Sequence, residues 1–394
     1  MRLLPSSTNI AATTHDHKEV TMKTQKNETT TTAANLQPTV HKEKENFMKK
    51  HSFTSLALAV VFAMFLTFPL SATAQDEVVG GPGTTYQNPL QLALKAWYPA
   101  NLSAVLGPPN YTFSSPGGIV FDGSNIWVEH VVSGGPDKLD KIQVSDGKLV
   151  GTYTVGTAGT TASPSAFDGV NIWSPDHTQG SSTIYRTVAA TGLPANPASC
   201  NLGSGQWPDS AAFDGQYMWV STNNGYVVKV NANNCTISCS ANLGGRLYDL
   251  AYDGHSMWVT AVYSNEVFKL NSNCTQAPGS PYAVGAGPIG IVFDGSNMWT
   301  ANQVGQSVSR ISSTGTVTSY SLGYTPWEIR YDGANLWVTD YTSGKVSIMS
   351  ATNPASNPPA YETCGSLSSS PLGLAFDGAN MWVGCEGINA IGKM

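Results

Sequence analysis

An all-β ring of seven four-stranded repeats is the fold class this sequence predicts, and three observations predict it. The first is a recurring heptapeptide. Phe121-Asp122-Gly123-Ser124-Asn125-Ile126-Trp127 returns with copies beginning at Phe167, Phe213, Tyr252, Phe293, Tyr331 and Phe376. Each copy keeps an aromatic residue, Asp-Gly, two variable positions, an aliphatic or Met residue, and Trp. The Asp-to-Asp steps from Asp122 to Asp377 are 46, 46, 39, 41, 38 and 45 residues, a period that belongs to repeat architectures. The second observation is a rhythm of short β-branched and aromatic runs separated by turn residues, four runs to a repeat. The third is composition: 39 Gly and 23 Pro with only 12% charged residues, which suits many short strands joined by tight turns.

Residues 1–47 are rich in Thr, Lys, Asn and Glu without apolar periodicity, and read as a disordered segment or as a start upstream of the true initiator Met48. Met48-Lys49-Lys50, an apolar run from Leu56 to Leu70 and Ala72-Thr73-Ala74 have the three-part form of a secretory signal peptide over 48–74, cleaved near Ala74. The apolar part before Pro69 is shorter than the roughly 20 residues a membrane-spanning helix needs. Residues 75–100 read as a linker, with a short helical stretch from Leu90 to Trp97 that Pro99 stops.

The repeats fill 101–394. In the first, Ile119-Val120-Phe121 is a strand, Asp122-Gly123-Ser124-Asn125 a turn and Ile126-Trp127-Val128 the returning strand. Asp can accept from the backbone N–H two residues on, and Gly takes positive φ without penalty. Lys138 to Gln143 and Leu149 to Val155 supply two more strands. Third strands recur at Ile184–Val188, Tyr226–Val230, Glu266–Leu270, Ser307–Ile311 and Lys345–Met349, and fourth strands near Thr316–Leu322 and Tyr361–Leu367. Four strands in 38 to 46 residues is the pattern of a β-propeller blade, so seven motifs predict a seven-bladed β-propeller of four-stranded blades. After Trp382 there is room for one more strand only, Asn389 to Lys393, while a spare strand, Leu102 to Leu106, precedes the first motif. The N-terminal strand is therefore expected to complete the last blade and close the ring, removing an open edge. The motif aromatics and Trp are expected to fill the gaps between blades. Gly118, Gly290 and Gly373, four residues before their motif Asp, fit where inner strands crowd the axis.

Residues 75–394 carry 12 Lys and Arg against 21 Asp and Glu, a net charge of −9. That excludes an electrostatic nucleic-acid binder, which needs clustered cations. All six cysteines, Cys200, Cys235, Cys239, Cys274, Cys364 and Cys385, lie in this part. An even count in an exported chain points to disulfides, with 15 possible pairings for six Cys. Cys235 and Cys239 have the spacing of one zinc ligand pair, but no second pair of Cys or His follows at a motif distance.

Pro371-Leu372-Gly373-Leu374-Ala375-Phe376-Asp377-Gly378-Ala379-Asn380-Met381-Trp382-Val383 resembles the blade signature of secreted bacterial propellers of the NHL and YVTN type. It is also similar to the Pro-x-x-Ile…Asp-Gly-x-ϕ-Trp repeat of the streptogramin (virginiamycin B) lyases. The resemblance spans nearly all of residues 100–394. It implies the propeller fold and raises a lyase or hydrolase with a divalent metal at the axis, as propeller lyases and lactonases use acids and His there.

Residues that break the repeat are the candidates for function. Four positions before the motif Asp, where most repeats have Gly or a small residue, stand Asp249 and Glu328; eight positions after it stand His130, Asp176, Thr222, Ala261, Asn302, Asp340 and Cys385. Asn or Asp at the latter position is expected to cap its loop. His130 departs from that pattern beside Glu129, and His177 adjoins Asp176. Trp207, Tyr248, Tyr263, Trp327 and Tyr341 add aromatics to the same expected face, with Arg246 a candidate clamp for a carboxylate and Arg330 a partner for acids. Two readings follow. In the favoured one, an exported, monomeric propeller binds a glycan, peptide or protein ligand on this face. In the other, His130, Asp249 and Glu328 are catalytic, and Asp249, Asn302, Glu328 and Asp340 hold a divalent metal.

Overall fold

The computed structural model describes residues 104–106, 115–130, 132, 134–157, 165–355, 360–362 and 370–394, all within the compact unit Asp76–Met394. The expected disordered start, signal peptide, linker and Leu90–Trp97 helix lie outside the described residues. So does most of the expected Tyr361–Leu367 strand, of which Tyr361 and Glu362 are seen, in the strand Ala360–Glu362.

The strands form seven four-stranded antiparallel sheets, the blades of a seven-bladed β-propeller. Six blades run in sequence order; blade five, for example, pairs Pro288–Phe293, Met298–Asn302, Ser307–Ile311 and Val317–Ser321 in that order. The seventh is composite. Its order is Pro371–Phe376, Met381–Cys385, Ala390–Lys393 and then Ala104–Leu106, with Ala104 opposite Lys393 and Leu106 opposite Ile391. The N-terminal strand thus closes the ring, as the spare strand before the first motif predicts.

Each motif is the hairpin between the first two strands of a blade, and its Asp does two jobs. In blade one Asp122 Oδ1 accepts from the backbone N–H of Ser124 and Asn125 at 2.9 and 2.6 Å, while Oδ2 accepts from the Trp127 indole at 2.8 Å. The indole bond recurs in the other six blades, at 2.6 to 2.8 Å. Gly123, at φ +96°, supplies the left-handed residue of the turn.

The core is a ring of inter-blade clusters. Trp127 of blade one packs with Ile172 of blade two, Trp173 with Phe213 and Met218 of blade three, and so on round to Trp382 of blade seven, which meets Ile119 and Ile126 of blade one. Six of the seven motif tryptophans are buried, and Trp337 is half-buried. Directly across the sheet from each buried Trp stands a cation: Lys141, Arg186, Lys229, Lys269, Arg310 and Lys393. Each lies over its indole ring, at 4.7 to 5.9 Å from the centroid. Four of them also donate to a backbone carbonyl of the next blade, namely Lys141 to Ala189, Arg186 to Ala232, Lys229 to Ser272 and Lys393 to Val144. In blade six the opposite residue is Ile348, and this blade holds the half-buried Trp337.

Two disulfides staple neighbouring blades: Cys200–Cys235 joins blades two and three, and Cys239–Cys274 joins three and four. Cys385 is disulfide-bonded as well. Cys235 and Cys239 are thus committed to different bridges, which removes them as a zinc ligand pair.

Candidate functional site

The first strands of the blades line the axis, and in blades three to seven each carries a register shift. The shifts fall between Pro208 and Ser210, Leu247 and Leu250, Pro288 and Ile291, Pro326 and Ile329, and Pro371 and Leu374. A regular strand sends consecutive side chains to opposite faces; a bulge re-aims one of them. Consecutive residues Tyr248 and Asp249 in blade four, and Trp327 and Glu328 in blade six, therefore both reach one axial cavity of about 230 Å³. Its wall also includes Gly117, Gly118, Glu129, His177, Asp209, Ser210, Arg330 and Gly373.

The two acids at the glycine position need small neighbours. Asp249 is flanked by Ser210 and Gly290, and Glu328 by Gly290 and Gly373, at the equivalent positions of adjacent blades. A Cβ on Gly290 would meet Glu328 Oε1 at 2.7 Å. One on Gly373 would collide with the Gly117 carbonyl.

Asp249 ties four blades together. It accepts from Ser210 Oγ of blade three at 3.0 Å, from its neighbour Leu250 N–H at 2.9 Å, from Ile291 N–H of blade five at 3.2 Å, and from Arg330 Nη1 of blade six at 3.3 Å. Arg330 Nη1 also donates to Glu328 Oε1, which takes the Ile329 N–H at 3.0 Å. One guanidinium thus serves two carboxyl groups. Burial pushes the Glu328 carboxyl up, Arg330 opposes and Asp249 reinforces the shift, leaving it at about 8. Burial opposes the charge on Arg330, but Glu328 and Asp249 outweigh it and hold the guanidinium protonated.

A second cluster adjoins the first. Asp209, buried at 5% exposure, accepts from Arg246 Nη2 at 3.2 Å and from Asn223 Nδ2 at 2.8 Å, and lies 3.4 Å from His177 Nδ1. Burial opposes the charge on Arg246, but Asp209 outweighs it and raises its pKa. Arg246 lies over the Tyr248 ring at 5.0 Å. Tyr248 meets Trp327 edge-on at 6.0 Å, and Trp327 leans on Tyr341 at 5.1 Å. Burial raises the Tyr248 hydroxyl above its ordinary range, so it stays neutral.

The structure brings Tyr248, Asp249, Trp327 and Glu328 into one cavity wall, with Arg246 and Tyr341 touching its aromatics. It places the remaining sequence candidates elsewhere. His130 pairs with Asp140 of its own blade at 3.2 Å and is not in the cavity wall. Asn302, fully buried, bonds Thr300, Ser307 and Ser309. Asp340 caps its loop through Thr342 and Ser343, as Asp176 does through Thr178 and Ser181. Trp207 donates its indole to the His177 carbonyl at 2.7 Å, and Tyr263 is 74% exposed. Sequence reasoning did not single out Asp209. It stands five residues before its motif Asp, the position held by Tyr248 and Trp327, so a comparison of that column would have found it.

The expected metal set is therefore corrected. Asn302 and Asp340 are engaged in their own loops, and the two axial acids already share a guanidinium, which occupies the cation's place between them. Among the described residues no group of three or more His, Cys, Asp and Glu side chains is arranged to hold a metal ion. The residues present do not fit a divalent metal. A larger open groove of about 770 Å³ lies between blades four and five, but Lys269 and Tyr282 in its wall are committed to Trp258, at 4.7 and 5.2 Å.

The fold and this cavity define a class: a seven-bladed propeller with an aromatic and acidic site on its axis. Among solved structures, the chain is similar to selenomethionine-substituted virginiamycin B lyase from Staphylococcus aureus, with TM-score 0.60 and 19% identity, covering 74% of this chain and 97% of that one. It is similar to a catalytically inactive histidine-to-alanine variant of virginiamycin B lyase from Staphylococcus aureus with quinupristin, with TM-score 0.59 and 20% identity over 74% and 98%. A streptogramin B lyase matches with TM-score 0.60 and 18% identity over 74% and 96%. At such identities the likeness is one of fold. No family model matches the chain, and no curated protein does.

Proposed function

We propose that the protein is a ligand-binding propeller whose ligand, a glycan, a peptide or a segment of a protein, seats at the axial cavity against Tyr248 and Trp327. The observation that carries this reading is the twice-repeated aromatic–acid pair, Tyr248-Asp249 and Trp327-Glu328, turned onto one wall by bulges. The strand conformation that aims both side chains inward gives up regular pairing, and the contiguous Tyr248–Trp327–Tyr341 series offers the large, stiff surface on which binding energy concentrates. A cavity of about 230 Å³ is below the roughly 300–1,000 Å³ of sites for drug-sized ligands. It takes a small molecule or one residue of a larger ligand. Glycan and peptide arrays probed with the parent protein and Trp327→Ala test the reading. Loss of roughly 30-fold or more in affinity is expected for a hot-spot Trp; identical binding profiles for the two proteins would sink it.

A second reading, a lyase at the same cavity, is supported by the fold neighbours and by Glu328, whose carboxyl at about 8 has the poise of a general acid or base near neutral pH. Lysis of virginiamycin B by the purified protein, lost in Glu328→Gln, is the outcome this reading requires. We also propose that the chain is exported and cleaved near Ala74, a reading the inter-blade disulfides support because they persist in oxidising compartments. N-terminal sequencing of the native product should begin at or near Gln75.

A further inference from the structure

We infer that the axial cavity binds an alkylammonium group, a free amine or a lysine side chain, which seats on Tyr248 and Trp327 and takes the place of a proton on Glu328. The inference rests on the binding reading above and names the chemistry of its ligand.

Three features of the wall select a cation. The first is the charge ledger. The wall carries Glu129, Asp209, Asp249 and Glu328 against Arg330, while Arg246 pairs with Asp209 and lies over one face of the Tyr248 ring. Both guanidiniums are already held by carboxyl groups. An anion entering here would face four acids with no unclaimed cation among these residues. The second is the unequal satisfaction of the two axial acids. Asp249 accepts four hydrogen bonds. Glu328 takes both of its donors, Ile329 N–H and Arg330, on Oε1, so Oε2 receives no hydrogen bond from a described residue and stays open to the cavity. An ammonium brings N–H donors to an oxygen that lacks them. The third is aromatic. Trp327 and Tyr248, whose other face carries Arg246, line the same wall, and the faces of such rings attract ammonium groups within about 6 Å.

The exchange balances without another reactant. Facing Glu328 are Arg330 on its own strand, Tyr248 and Asp249 from blade four, Glu129 from blade one, Asp209 from blade three and His177 from blade two. With its carboxyl pushed up to about 8, Glu328 holds a proton at neutral pH. The incoming ammonium pairs with the carboxylate, and the displaced proton goes to solvent. Alkylammonium groups themselves stay charged to about pH 10. Affinity should therefore rise with pH, by up to tenfold per unit below about 8, and level off above.

The experiment is titration calorimetry of the purified protein with n-butylammonium, tetramethylammonium, butyrate, butanol, potassium chloride and a lysine-bearing tripeptide, at pH 6, 7, 8 and 9. Two buffers of different ionisation enthalpy count the protons released. The expected result is binding of butylammonium and the tripeptide with release of nearly one proton at pH 6 and 7, at least tenfold tighter at pH 8 than at pH 6, and weaker binding of tetramethylammonium, which has no N–H to give Glu328. In Glu328→Gln the pH dependence should vanish, and in Trp327→Ala the affinity should fall at every pH. Tripeptide binding more tightly than butylammonium would assign the natural source to peptides; the reverse would assign it to free amines. Butyrate or butanol binding in a Trp327-dependent way, with no ammonium bound, overturns the cation assignment and leaves the binding site standing. Potassium competing equally would overturn the organic cation. If no probe and no array ligand binds in a way that depends on Trp327, the binding reading falls too.

Discussion

The motif Asp carries more of this protein than its size suggests. Asp294 accepts from the backbone N–H groups of Ser296 and Asn297 at 2.7 and 2.6 Å and from the Trp299 indole at 2.6 Å. Trp299 is fully buried, so removing the acceptor strands a donor away from water. Asp294→Ala should cost about 2–3 kcal/mol, and Asp332→Ala only about 1, because the half-buried Trp337 can find water; urea unfolding of the two variants checks the difference. Glu328 makes a prediction of opposite character. Its carboxyl moves from an ordinary 4.5 to about 8 in the fold. Below about pH 4.5 both states hold the proton and its contribution to stability is fully present. Between there and 8 the folded state alone holds it, so stability falls with rising pH, by up to about 1.4 kcal/mol per unit. Unfolding curves for Glu328→Gln should be flatter than those of the parent between pH 5 and 8, with the variant gaining on the parent as pH rises. A parallel pair of curves would show that Glu328 does not hold that proton.

At the scale of the element, the blade is a hairpin anchored on an indole, clasped to the next blade by a cation in four blades and, twice among the described residues, by a disulfide. The Asp-Gly turn and the Trp were legible because they repeat. The cation was legible in principle, since Lys141, Arg186, Lys229, Lys269, Arg310 and Lys393 hold one register, but the variable length of the second hairpin hides that alignment until strands are paired. The disulfides follow a similar logic. Both close 35-residue separations, from the fourth strand of one blade to the turn before the fourth strand of the next. Replacing Cys239 and Cys274 together by Ala should cost about 3–4 kcal/mol on the loop-entropy account, with blades three and four losing amide-exchange protection ahead of the rest. Equal protection across all blades would mean the staple adds nothing to their docking.

The whole molecule depends on closure. Trp382 and Lys393 of blade seven reach Ile119, Ile126 and Val144 of blade one, and Ala104–Leu106 covers the last edge. A chain beginning after Leu106 would leave Ala390–Lys393 as an exposed edge, an invitation to strand pairing between molecules. Gel filtration should show that truncated protein as larger oligomers or aggregate than the parent forms. The ring also builds the axial cavity: no blade holds it alone, and Asp249 receives hydrogen bonds from four of them.

The sequence by itself determined the architecture, because each blade repeats its anchors locally and a period of about 40 residues with turn chemistry at fixed offsets admits few folds. It also marked Asp249 and Glu328 as departures from that repeat. The tertiary structure alone decided which departures meet. Asn302 and Asp340 share a sequence column yet serve their own loops, whereas Tyr248 and Asp249, neighbours that alternation would part, face the same cavity because a bulge turns them together. Arg330, read as a partner for acids, proved to be the cation between the two axial carboxyls. Distances across a ring are set by all seven blades at once, and no single repeat encodes them.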